Sequence, residues 1–116
     1  MDERIEKAFA VANYMQTLSN QRRVLLEEYN QKLLYYINGA TFKINLELIN
    51  FTKIVLDLGH DTDVAFVDAN SFPVMISDVQ QFFNDISSIY FEATNEYAVR
   101  YAELKNKRKI ADIVEL

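Results

Sequence analysis

Apolar residues return at heptad spacing along two long stretches of this chain, and that pattern does most to limit the folds open to it. In the first stretch they fall at Ile5, Ala8, Ala12 and Met15, then at Leu26, Tyr29, Leu33 and Tyr36. In the second they fall at Phe83, Ile86, Tyr90, Ala93, Tyr97, Tyr101 and Leu104. Such spacing lays a stripe along one side of a helix, and a stripe must find a partner. Two glycines and one proline in 116 residues leave little to interrupt long elements. The chain is long enough to bury a core as a single domain, 1–116.

The punctuation suggests where the elements begin and end. Asp2 is placed to cap a helix that runs to about Asn38, with Gly39 as its left-handed C-terminal residue. The stripe lapses at Ser19 and Arg22, which leaves open one helix or two. Residues 41–45 alternate and read as a short strand. Residues 46–58 return to helical spacing, with Asn45 as N-cap and Gly59 just past the end. Two β-rich runs, 64–67 and 72–76, flank Asp68, Ala69, Asn70 and Ser71 and read as a hairpin. Pro73 cannot donate to a ladder, so its strand belongs at an edge or begins there. Ser77 and Asp78 precede a last helix expected to reach about Lys107. The fold class is α+β, in the order α-β-α-ββ-α. Two long terminal helices and one central helix accompany a small three-stranded, mostly antiparallel sheet.

The chemistry narrows the function classes. Net charge is −5, which argues against general nucleic-acid binding. Without cysteine there are no disulfides or thiolate metal sites. The charged N-terminus lacks the apolar core of a signal peptide, and no apolar run approaches a membrane span, so a soluble intracellular protein is expected. Asp57, His60, Asp61 and Asp63 could offer ligands to a divalent ion, but a solvated connector explains them more simply. Asp68, Asn70 and Ser71 resemble part of a calcium loop but lack its glycine and distal Glu, and a turn accounts for them. There is no nucleophile elbow, no glycine-rich phosphate loop and only one His. No enzyme activity, cofactor or metal is expected.

What remains is association. Seven Tyr and eight Phe suit a thick core or an adhesive interface. The stripes nominate Leu26, Tyr29, Leu33, Tyr90, Tyr97 and Tyr101 as an interface between copies, making a homo-oligomer. A separate candidate is the C-terminal end. Lys105, Lys107, Arg108 and Lys109 form a basic run, which also suits a helix C-terminus. Ile110, Ile113, Val114 and Leu116 follow it as a docking tail, 110–116, for the chain's own core or a partner protein.

Several segments carry a resemblance. Residues 36–42 (YINGATF), 67–74 (VDANSFPV), 89–97 (IYFEATNEY) and the closing 107–116 (KRKIADIVEL) resemble small uncharacterised proteins carried by T4-like tailed phages of marine cyanobacteria. That resemblance implies a phage product in the cytoplasm of an infected bacterial cell, in a setting rich in virion and assembly proteins. The layout of two terminal helices around a β region also resembles a prefoldin subunit, though with an added central helix and more aromatic residues. Three readings of the residues stand, in descending order. The first is a non-enzymatic structural or assembly protein that self-associates through its long helices. The second is an adaptor that docks on a phage or host machine through residues 105–116. The third, which the chemistry above disfavours, is a metal-dependent enzyme centred on His60.

Overall fold

The computed structural model describes residues 2–114, with side chains described through residue 107. Its elements are α1 (Glu3–Lys32), β1 (Leu34–Ile37), β2 (Ala40–Lys43), α2 (Leu46–Asp57), β3 (Thr62–Val67), β4 (Pro73–Asp78) and α3 (Val79–Val114). The class is α+β, with three helices and two antiparallel hairpins of two strands each, β1–β2 and β3–β4. The expected three-stranded sheet does not form. The strand at 41–45 pairs instead with residues read as the end of the first helix.

The reason is the dipeptide Asn38-Gly39. Both residues have positive φ, 52° and 77°, as a two-residue hairpin turn of the right twist requires. Ile37 therefore faces Ala40 and Leu34 faces Lys43. Gly39 closes a hairpin and not a helix, and α1 stops at Lys32. Within its bounds α1 runs unbroken through Ser19 and Arg22. Asp2 starts it, accepting from the Arg4 N–H at 3.0 Å.

The other boundaries follow their sequence signals. Asn45 caps α2 through its side chain, which accepts from the Leu48 N–H at 2.8 Å, and Gly59 follows at φ 89°. Asp78 accepts from the Gln81 N–H at 3.0 Å and opens α3, which continues past the expected Lys107 to Val114.

The chain divides into two compact units. The central unit is Asn30–Thr94, and the helical unit combines Met1–Tyr29 with Asn95–Leu116. The central unit holds most of the buried side chains: Phe42, Ile44, Phe66, Ile76, Val79, Phe82 and Ile86 among them. Phe82 meets Phe42 edge-on at 5.2 Å and Phe66 at 5.2 Å, so one ring of α3 gathers both hairpins.

Asp68 joins the hairpins at their corner. Its Oδ1 accepts from the Asn70 and Phe72 N–H groups at 2.9 Å each, and its Oδ2 accepts from Thr41 N–H at 3.2 Å. The Ala69 N–H also donates to the Thr41 carbonyl at 2.8 Å. The Phe72 N–H holds the Asp68 carboxyl below its ordinary pKa. Partial desolvation opposes this, and the Thr41 and Asn70 N–H groups reinforce it. The turn reading of Asp68, Asn70 and Ser71 holds in this geometry. Ser71 takes φ 65°, and its N–H donates to the Asp68 carbonyl at 3.0 Å.

A tyrosine-lined face on the helical unit

Among its described residues, the helical unit buries only Leu18 and Leu25. These lie seven apart on α1 and form the seam with α3. The two flanks of that seam differ in chemistry.

One flank is polar. Thr17, Asn20, Gln21 and Val24 of α1 face Arg100, Glu103 and Lys107 of α3 across a groove of about 460 Å³. Arg100 pairs with Glu28 across the seam and lies 4.0 Å from Glu96 on its own helix. The Tyr14 hydroxyl donates to the Lys107 carbonyl at 3.1 Å.

The other flank is aromatic. Tyr29 stacks on Tyr97 with ring centroids 4.6 Å apart, and Tyr97 on Tyr101 at 6.1 Å, with interplanar angles of 29° and 26°. The Arg22 guanidinium carbon stands 5.8 Å from the Tyr101 ring centre and completes the ladder. Such aromatic pairs contribute about 0.5–1.5 kcal/mol each beyond their buried area. A groove of about 250 Å³ continues this flank between Met15, Leu18, Arg22, Tyr101 and Lys105. Arg22, Leu26 and Tyr29 fall four and three residues apart, so Leu26 belongs to the same side of α1. Leu26 stays 45% exposed and Tyr101 36%.

Of the six interface residues expected from sequence, the structure brings Tyr29, Tyr97 and Tyr101 into contact and sets Leu26 beside them. The other two go elsewhere. Leu33 is 5% exposed in the central unit, where its carbonyl accepts from the Ile44 N–H at 2.7 Å. It ends α1 on the way into a hairpin, so its side chain is spent on that core. Tyr90 is also in the central unit, edge-on to Phe91 at 5.9 Å. The residue missed from sequence is Arg22. Its i,i+7 spacing to Tyr29 is the signal that marks it, although Glu27 and Glu28 lie within helical reach as rival partners. Glu27 in fact stands 3.7 Å from Arg23, and Glu28 pairs with Arg100.

Lys105 and Lys107 are exposed on α3. Arg108, Lys109, Ile110, Ile113 and Val114 continue the backbone of α3, but their side chains lie outside the described residues, as does all of Leu116. Asp57, His60, Asp61 and Asp63 are all exposed, and Asp57 lies 3.6 Å from Lys53. Among the described residues no group of three or more His, Cys, Asp or Glu could hold a metal ion. No helix among them is long and apolar enough to cross a membrane. Comparison with protein families, with curated proteins and with solved structures gives no match.

Proposed function

We propose that this chain is a non-enzymatic structural or assembly protein that self-associates through the tyrosine-lined flank of its α1–α3 pair. The observation that carries the reading is the contrast between the two flanks. One sets the Arg100–Glu28 pair and several polar side chains beside Val24 and Leu104, and the other presents Leu26, Tyr29, Tyr97, Tyr101 and Arg22. Tyr and Arg are the side chains enriched where protein surfaces bind. Two helices alone make a thin layer, whereas four make a bundle with an interior. A second copy supplies the other two helices, and a two-fold axis closes the assembly with the same patch on both sides. The resemblance to cyanophage proteins is what brings virion assembly in an infected cell into this reading.

Sedimentation equilibrium of a Leu26→Asp/Tyr101→Asp variant tests it. Both positions are solvent-exposed in the single chain, so helicity should match the parent while the assembly mass falls. Unchanged mass with unchanged helicity would remove the tyrosine flank as the interface.

A further inference from the structure

The central unit carries an open strand edge beside an apolar helix stripe. The Asp68 N–H donates to the Phe72 carbonyl at 2.9 Å, which fixes the alternation along the β3–β4 ladder. Phe66 with Val74 and Val64 with Ile76 then exchange hydrogen bonds, while Ala65 and Val67 turn their N–H and C=O groups outward. Among the described residues no backbone bond reaches the outward groups of Ala65 and Val67, while one step beyond them the Ala69 N–H is taken by the Thr41 carbonyl of β2 at 2.8 Å, so the open part of the edge ends at Val67. The edge of β4 differs, because Pro73 stands opposite Val67 and presents no N–H there. Asp63, at φ 52°, bends β3 away from regular geometry, so the regular edge is residues 64–67.

A groove of about 410 Å³ follows this edge, lined by Lys43, Leu48, Phe51, Ala65 and Val67 among others. Phe51 meets Phe66 edge-on at 5.6 Å, which seats α2 against the strand. Phe51, Ile54 and Leu58 share one stripe of α2 and are 49%, 55% and 70% exposed, and Val67 is 67% exposed. Together these four expose on the order of 400 Å² of apolar surface, close to the apolar share of the ~800 Å² that each partner brings to a standard interface.

We propose that the outer edge of β3 and the α2 stripe form a second self-association surface. There residues 64–67 pair antiparallel with the same residues of another copy, and the two α2 stripes cover each other. A lone extended peptide would satisfy the strand edge but leave Ile54 and Leu58 in water. A second copy satisfies both, reciprocally, about one two-fold axis. This inference stands on the central unit and is independent of the tyrosine flank.

Single-cysteine cross-linking tests it, because the chain has no cysteine of its own. Ala65→Cys, treated with a short thiol-to-thiol cross-linker, should give a covalent dimer. Met75→Cys serves as the control, since Met75 faces Ala65 across the hairpin on the strand that carries Pro73. It should give none. The Ala65→Cys dimer should persist when Leu26 and Tyr101 are both Asp, and should be lost when Ile54→Glu is added. Persistence without the tyrosine flank separates this surface from the other one. Equal yields at 65 and 75, or no dimer at 65, would overturn the proposal, the latter leaving the edge to a strand of some other protein.

Discussion

Asp68 and Gly39 each hold a turn by a different physical means, and each gives a test confined to one residue. The Asp68 carboxylate satisfies three backbone N–H groups at the junction of the hairpins. Its folded pKa lies below the unfolded value of about 3.9. Its contribution is therefore present above that value and is lost as pH falls through the folded pKa. Urea midpoints should show Asp68→Asn less stable than the parent at neutral pH, with the difference closing in strong acid. A constant difference would mean that the charge is not what holds the corner. Tyr35 behaves in the opposite sense. Its hydroxyl donates to Asp85 at 3.0 Å, and desolvation, then that bond and the charge of Asp85, raise its pKa. Its contribution is present below about pH 10 and is lost as pH rises through the raised value. Gly39 acts through backbone freedom. A Cβ there meets no atom within 4 Å, so the cost of Gly39→Ala is the left-handed φ alone, about 1–2 kcal/mol. D-alanine at the same position should restore stability, as read by denaturant unfolding.

At the scale of elements, α1 shows where a pattern can mislead. Leu33 and Tyr36 continue the heptad frame of Leu26 and Tyr29, and the stripe therefore reads as helix through residue 38. The chain leaves the helix at Lys32, and the local Asn-Gly turn overrides a periodicity that two residues satisfy by coincidence. The absence of the expected three-stranded sheet has the same origin, because β2 finds its partner in β1, immediately before it. Boundaries set by one side chain were legible: Asp2, Asn45 and Asp78 all cap helices as their positions suggest. So was the tyrosine register, since Tyr97 and Tyr101 are one turn apart on α3. Which flank of the seam is polar and which aromatic depends on how α1 and α3 face each other, and a single helix's spacing does not encode that. Within α1, neighbouring leucines should respond differently to truncation. Leu25→Ala should cost about 2–5 kcal/mol, since Leu25 is buried in the seam. Leu26→Ala should stay within about 0.5 kcal/mol under conditions that keep the chain monomeric. Thermal melts of the two variants at low concentration would decide this, and equal losses would contradict the orientation given to α1.

For the whole molecule, a sparse interior in the helical unit and an open edge in the central unit have a common consequence. On the proposed reading each surface takes a copy of itself, and two different two-fold contacts on one chain build assemblies larger than a dimer. That is the behaviour expected of a protein whose work is to form part of a structure. Ionic strength should matter little to either contact, because aromatic, aliphatic and backbone groups dominate both, and Arg22 and Lys105 lie at the rim of one. Self-association is read most directly as mass by light scattering during size-exclusion chromatography over a wide range of concentration. A self-associating chain should show the mass of two or more copies at all but the highest dilutions, with mass rising as concentration rises. One-chain mass at every concentration would contradict it.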